Sequence, residues 1–319
     1  MTTGVALLNF GEPEEPTRDN VVPYLERIFL SNMSLEGEMT EDDARKRAHK
    51  LAERRAPGLL EEYDEMGQGS PLIPQAKEQA EMLEDELDAR GYDAETYVGM
   101  QYTPPFIGDA VEEARGDGVD KIIGLPIYPL CGRTTTIESL EVMEREIDEK
   151  EWNVEYQEIT GWHEHPTYLD IRADNIAEFV ESEGVNLDSD DTKLVFSAHG
   201  TPVKYLESGR YDEYVEETCE WVSGRLGVDD YEIGYQNHEN RDVEWTQPET
   251  EDVIERLGRD DETQNVVVEP LSFMHEQSET LSELDLELRD ECDEVGLELY
   301  RVPIPHNDPR FGSVLADLV

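Results

Sequence analysis

Eight short apolar runs, near residues 4–10, 95–99, 121–128, 154–160, 192–197, 231–236, 265–273 and 297–302, alternate along the chain with amphipathic stretches. The latter lie near 19–30, 40–66, 72–90, 105–116, 136–149, 166–184, 208–226, 249–258, 276–295 and 308–318. This alternation predicts strands joined by helical crossovers, which only parallel sheets covered on both faces accommodate. Four runs fall on each side of Thr160-Gly161-Trp162-His163. The expectation is therefore an α/β protein of two doubly wound domains, residues 1–160 and 161–319, with a cleft between them; the last helix, about 308–319, can pack back on the first domain. No internal repeat and no low-complexity linker is visible.

In such sheets ligands bind at the carboxyl ends of the strands. Two strand ends carry chemistry. His199 follows Leu194-Val195-Phe196-Ser197-Ala198 and precedes Gly200, so its imidazole should emerge where a buried strand gives way to a loop, as metal ligand or proton acceptor. The run Val266-Val267-Val268-Glu269-Pro270-Leu271-Ser272-Phe273 ends in Met274-His275-Glu276-Gln277-Ser278-Glu279, which opens a helical pattern. Glu279, Glu283 and Glu287 recur every four residues, with Glu276 about a turn earlier, so a helix would align them in a column. In a chain this acidic such a column is ordinarily a solvated face. Its origin at a strand end beside an apolar core sets it apart, because unpaired like charges there are costly unless a cation or proton joins them.

Acids dominate the composition: 78 Asp and Glu against 26 Lys and Arg give a net charge of −52. Self-repulsion on that scale strains a compact fold unless salt screens it, so a salt-rich cytoplasm is expected. The same field repels phosphates, and no basic stripe is present, which argues against nucleic acid. Gly67-Gln68-Gly69-Ser70 lacks the lysine and the strand-to-helix setting of a phosphate loop. Cys131, Cys219 and Cys292 are few, odd in number and far apart, consistent with buried thiols in a reducing compartment. No apolar stretch reaches membrane-spanning length, and no leader is visible. His163-Glu164-His165 has the makings of a metal pair, but no further ligand lies near it in sequence, and a solvated interdomain loop is the expectation.

Taken in order along the chain, the motifs resemble those of the ferrochelatase family. They begin with Leu8-Asn9-Phe10-Gly11-Glu12-Pro13, Arg54-Arg55-Ala56-Pro57, Tyr63, Gly67-Gln68-Gly69-Ser70-Pro71-Leu72, Tyr97-Val98-Gly99-Met100-Gln101-Tyr102 and Pro126-Ile127-Tyr128-Pro129. Ser197-Ala198-His199-Gly200-Thr201-Pro202, Gln236-Asn237, Trp245-Thr246-Gln247-Pro248, Glu276 through Asp285, Asn307-Asp308-Pro309-Arg310-Phe311 and Ala316-Asp317-Leu318-Val319 complete the series.

The resemblance implies two Rossmann-like domains around a porphyrin cleft, a chelatase-like fold, and insertion of ferrous iron into protoporphyrin IX or coproporphyrin III without an organic cofactor. It assigns His199 and Glu279 to the metal and proton chemistry, and Glu283 and Glu287 to an acidic track for iron or protons. Arg55, Tyr63 and Ser70 fall at the porphyrin edge, while Phe10 and Tyr102 would form flat apolar walls. Alternatives are a chelatase for cobalt or another tetrapyrrole, and a non-catalytic tetrapyrrole carrier or haem chaperone. Retention of both His199 and Glu279 favours the enzyme, since a carrier needs no proton acceptor.

The chain departs from the family pattern in several places. Gln277 stands where many members have a second histidine, with His275 as a substitute to consider. Gln101 replaces an arginine of some members, and Arg133 could compensate. The segment Asn32 to Asp43 is too polar and acidic for the apolar lip by which some members reach a bilayer. The sequence stops at Val319 without the cysteine-bearing extension some members use. The expectations are no iron–sulfur cluster, no membrane insertion and a monomer.

Overall fold

The computed structural model describes residues 2–67, 69–206, 209–237, 243–259 and 262–319. Gln68 of one matching stretch and Ser208, at the start of one expected helix, lie outside the described residues. Each of the eight expected strands forms. In the first sheet β1 (Thr3–Asn9) lies between β2 (Ala94–Met100) and β3 (Lys121–Pro126), with β4 (Glu155–Glu158) outside β3. The second repeats that order: β5 (Thr192–His199) lies between β6 (Tyr231–Gln236) and β7 (Asn265–Pro270), with β8 (Glu298–Arg301) at the edge. All pairings are parallel. Thus the backbone repeats even though the sequence shows no repeat, because strand order depends on the apolar period and crossover hand, not on residue identity.

The helices follow from local chemistry. α1 (Arg18–Ser31) packs against α2 (Glu41–Met66), whose Ala44, Ala48, Ala52 and Ala56 form a buried small-residue stripe continued by Leu59 and Tyr63. Thr40 caps α2 by accepting from the Asp43 N–H at 3.2 Å, the first turn carries three acids that suit the helix dipole, and Gly67 ends it in the left-handed region. α3 (Leu72–Ala89), α4 (Ile107–Asp117) and α5 (Glu138–Glu149) cover the first sheet. α6 (Pro166–Glu183), the short α7 (Val203–Leu206), α8 (Tyr211–Leu226), α9 (Thr250–Gly258) and α10 (Leu288–Val295) belong to the second half.

α11 (Arg310–Leu318) lies on α3, where Gly312 fits against Met82 O and Arg90 pairs with Asp317 at 2.6 Å. One hydrophobic cluster runs from Val5, Leu7 and Leu125 through Phe311 and Leu315 to Leu194 and Phe196, so the two sheets share a core. Beneath the second sheet Arg172 of α6, fully buried, pairs with Glu269 of β7 and donates to the carbonyls of Pro270 (2.7 Å) and Phe273 (3.0 Å). These bonds fix the turn after β7, and with it the start of the segment that carries Glu279.

Two segments differ from the sequence expectation. The helix expected over 276–295 begins as a π-helical turn, Glu279–Glu287, and becomes α-helical only at Leu288. A shorter π-helical turn, Arg133–Ile137, precedes α5. Such wide turns are rare and concentrate at functional sites. Apolar period alone cannot reveal them, since i,i+4 neighbours share a face in both helix types. Among the described residues no helix is long and apolar enough to cross a membrane.

Candidate active site

His199 is the last residue of β5, and its backbone is held from several sides. Its N–H donates to Ser272 Oγ at 2.7 Å, its carbonyl accepts from the Tyr211 hydroxyl at 2.9 Å, and the next N–H, of Gly200, donates to Gln236 O at 2.7 Å. Gly200 is required there: a Cβ would lie 1.8 Å from Asn237 Oδ1 and 2.7 Å from Gln236 O. The first sheet uses the same device at its own switch point, where the Phe10 N–H donates to the Tyr128 hydroxyl at 2.8 Å. The ends of β1 and β5 thus present Phe10 and His199 toward one cleft.

The ring of His199 has a defined orientation. Nδ1 lies 2.6 Å from Gly200 O, and a carbonyl only accepts, so Nδ1 is assigned the hydrogen and Nε2 faces Glu279 Oε1 at 3.1 Å. Burial alone disfavours the imidazolium. The Glu279 charge and hydrogen bond, the Glu283 charge and the Gly200 carbonyl together outweigh it and raise His199 to about 9. In Glu283 the balance runs the other way: burial, and then the neighbouring Glu279 charge, push its carboxyl well above the usual range despite the Gln236 amide, which donates to it at 3.0 Å. The same amide nitrogen donates to Glu279 O at 3.1 Å, fastening the π-helical turn to the end of β6. Gln277 donates to the Glu279 carboxylate.

Two abutting cavities, about 90 and 180 Å3, share Phe10, Thr134, His199, Gly200, Gln277 and Glu279 in their walls. Arg133 lines the first; Arg55 and Glu283 line the second, and Leu25, Ile28 and Phe29 of α1 give it an apolar side. Glu287 is exposed at the outer end of the carboxylate series. A further cavity of about 1160 Å3 between α1, α4 and α5, which shares Arg133 and Thr134 with the first, is larger but holds no imidazole; its rim carries charged side chains such as Arg145, Lys150 and Glu112. Size does not locate the chemistry here.

Three residues expected at the porphyrin lie one layer back. Tyr63 is 1% exposed in the α1–α2 core, drawn there by the alanine stripe that it continues. Ser70 is buried, and its hydroxyl accepts from the Leu72 N–H at 3.3 Å at the start of α3. Tyr102 stands edge-on behind Phe10, ring centroids 4.5 Å apart, and donates to Glu138 at 3.3 Å. Arg55 reaches the cavity wall but pairs with Glu62 at 2.7 Å, and Arg133 pairs with Glu141 at 2.9 Å. Gln101 is outside the two central cavities and donates to Thr134 O at 3.3 Å, supporting the loop next to Arg133.

Other expectations are corrected. His275 is no metal ligand in waiting: it is buried, bonded to Gln79 Oε1 at 2.9 Å, and held neutral by a burial-driven drop to about 3. Glu276 does not belong to the column, because Arg301 donates to it at 2.6 Å and the Ile304 N–H at 2.9 Å. The His163-Glu164-His165 loop is solvated only at Glu164, and both histidines turn inward. His163 is 6% exposed, packs 4.4 Å from the Tyr214 ring and meets Glu217 at 3.0 Å, whereas His165 turns to Asp317 at 3.4 Å. Sequence reasoning gave no role to Glu12, Gln236 and Trp245 at the site, although each stands in a matching motif.

Two carboxyls near the site, buried Glu12 and half-buried Glu138, are each raised to about 7, chiefly by desolvation. The folded state therefore holds protons that the unfolded chain releases near 4.5, so this contribution to stability is lost as pH rises through about 7. His199, raised from 6.5 to about 9, acts in the same direction, while His275 opposes it only below 6.5. Stability at fixed molar salt should fall by about 1.5 kcal/mol from the two carboxyls alone between pH 6.5 and 8. Melting curves read by circular dichroism check this; a midpoint that climbs over that interval contradicts it.

Two four-stranded parallel sheets whose carboxyl ends face one cleft, with an imidazole and a carboxylate meeting inside it, define a chelatase-like protein. Residues 2–319 match the ferrochelatase family, and the chain belongs to that family. It is 34% identical over 322 residues to the ferrochelatase of Nostoc sp., covering 99% of this chain and 81% of the relative, and 32% identical over 324 residues to that of Synechocystis sp., with the same coverage. In fold it is similar to CbiX, the terminal enzyme of sirohaem biosynthesis in denitrifying bacteria (TM-score 0.50, 14% identity, 99% of this chain and 96% of that one). It is also similar to SirB from Bacillus subtilis (TM-score 0.51, 14% identity, 76% and 87%).

Proposed function

We propose that the His199–Glu279 pair is where this chain carries out its family's reaction. The enzyme is a ferrochelatase of haem biosynthesis: it inserts ferrous iron into a porphyrin. The observation that carries the site assignment is the 3.1 Å contact between His199 Nε2 and Glu279 Oε1 inside the cleft. Metallation exchanges one Fe2+ for two pyrrole protons, so the site must hold a cation and accept protons within the same few ångströms. With Nδ1–H committed to Gly200 O, the imidazole works through Nε2 alone, which accepts a pyrrole proton once its own has been passed to a carboxylate. Glu283, its carboxyl raised by burial and by Glu279, is suited to carry such a proton, and exposed Glu287 to release it. Ferrous iron, stripped of water, takes the opposite course along the same carboxylates.

Phe10 supplies the flat wall, and Arg55 and Arg133 the guanidinium groups for propionates. Each guanidinium would exchange its present glutamate for a propionate. Tyr63, Ser70 and Tyr102 are assigned to support of that wall. Arg55→Ala should raise the porphyrin KM about tenfold and leave kcat within about twofold, because propionates lie far from the reacting nitrogens. An unchanged KM in initial-rate assays removes Arg55 from the edge.

The remaining assignments are a division at Thr160-Gly161 into halves 1–160 and 161–319, a salt-rich cytoplasmic setting, a monomer, and no iron–sulfur cluster. The charge of −52 supports the salt-rich part of that setting, since only screening makes it tolerable in a compact chain. The test of the whole reading is anaerobic incubation in molar KCl with Fe2+ or Co2+ and either protoporphyrin or coproporphyrin, monitoring the absorption change on metallation. Porphyrin binding without metallation by any of these ions returns the chain to the carrier reading.

A further inference from the structure

Glu12 is a buried carboxyl in the cleft that neither iron coordination nor propionate binding accounts for. Gly11 turns the chain sharply after β1 at φ +82, where a Cβ would lie 2.4 Å from Thr103 Oγ1 and 2.7 Å from Met100 Cβ, and the turn sends Glu12 toward the second half of the molecule. Its side chain lines the same cavity as His199, Glu279 and Glu283, and the residue is 3% exposed. Both carboxylate oxygens meet Ser278, whose N–H donates to Oε2 at 3.0 Å and whose hydroxyl donates to Oε1, and Ser70 adds a further side-chain hydrogen bond.

Ser278 immediately precedes Glu279 at the start of the π-helical turn. Its N–H is among the donors that a helix start leaves without an intrahelical acceptor, and the positive end of the helix dipole favours a carboxylate there. A cap of this kind is normally local. Here it comes from 266 residues away and joins the loop after β1 to the helix that carries Glu279. Tyr24 of α1, Tyr63 of α2, Tyr128 beyond β3 and Glu279 itself are the titratable groups facing it. Burial lifts the carboxyl to about 7 even with the Ser278 and Ser70 bonds to it. A neutral side chain would cap with less desolvation, so a carboxyl at this place calls for a reason beyond capping.

We propose that Glu12 is a positioning residue for metallation: by holding Ser278 at both its N–H and its hydroxyl, it sets the direction in which Glu279 meets His199. The inference rests on Glu279 carrying chemistry, so Glu279→Gln serves as the reference. The assay is anaerobic metallation in molar KCl with Fe2+ and protoporphyrin, normalised to porphyrin-binding sites counted by fluorescence quenching. Glu12→Gln keeps the size but retains one acceptor oxygen for two donors, and should lower kcat about tenfold with the porphyrin KM within about twofold. Ser278→Ala should do the same, and the double variant should be no worse than the more damaging single, since both remove one clamp. Losses that multiply, or a Glu12→Gln kcat within twofold of the parent while Glu279→Gln is crippled, overturn the positioning role. A fully active Glu279→Gln overturns instead the site assignment on which it rests. A merely structural Glu12 would reduce the number of binding sites without changing kcat per site.

Discussion

His199→Ala is expected to slow metallation about 1000-fold, while porphyrin affinity shifts by no more than about threefold. The two readouts separate because the imidazole and the binding area are different parts of the cleft: Phe10, the α1 side chains and the two arginines remain. The loss should be large because no other group can replace Nε2. His275 is the other imidazole lining the cleft among the described residues, and it is tied to Gln79 and held neutral by burial. Removal of the ring also takes the imidazolium charge away from Glu279 and Glu283, two neighbouring half-buried carboxyls, so one should protonate and stop serving as acceptor. Anaerobic absorption assays give the rate, and fluorescence quenching gives the affinity. If affinity collapsed in parallel with rate, His199 would be a wall residue of the porphyrin pocket and not its proton acceptor.

The fold was legible because two periods carry it. Every expected strand formed, since runs such as Val266-Val267-Val268 are buried on both faces and leave the period little choice. His199 could be placed because a strand end is defined by where the apolar run stops. The π-helical turn was not legible: Glu279, Glu283 and Glu287 share a face at four-residue spacing in either helix type, and what distinguishes the two is the tertiary hold of Gln236 and Glu12 on the segment.

The depth of the site residues was equally hidden. Tyr63 and Ser70 sit in matching motifs, yet whether a hydroxyl faces a cleft or backs its wall depends on where a neighbouring stripe of alanines brings α1 against α2. Glu12 stands in a matching motif too, but nothing local ties a loop residue after β1 to Ser278. Likewise Glu276 reads as a member of the column and becomes structural only through Arg301, which lies on the last strand.

Neutralising the carboxylates one at a time should give a graded series, about 100-fold slower metallation for Glu279→Gln, about tenfold for Glu283→Gln and less than about twofold for Glu287→Gln. The gradient follows from depth. Glu279 touches His199 and keeps 20% side-chain exposure, Glu283 is enclosed beside Gln236, and Glu287 stands in solvent. In molar salt the screening length is about 3 Å, so an exposed charge loses most of its pull on an approaching cation while an enclosed one keeps it. Amide for carboxylate preserves shape, which leaves the proton and the charge as the variables. Glu276 and Asp285 are unsuitable as neutral controls, because both accept from Arg301, and their loss would disturb the fold around β8. Exposed Glu81 and Glu149 on α3 and α5 serve instead: Glu81→Gln and Glu149→Gln should leave the rate unchanged in the same molar KCl. Lowering salt should enlarge the Glu287 effect and barely alter the Glu279 one, since only the former is screened. Equal, small losses at Glu279, Glu283 and the controls would reduce the column to part of an acidic surface, leaving His199 to act alone.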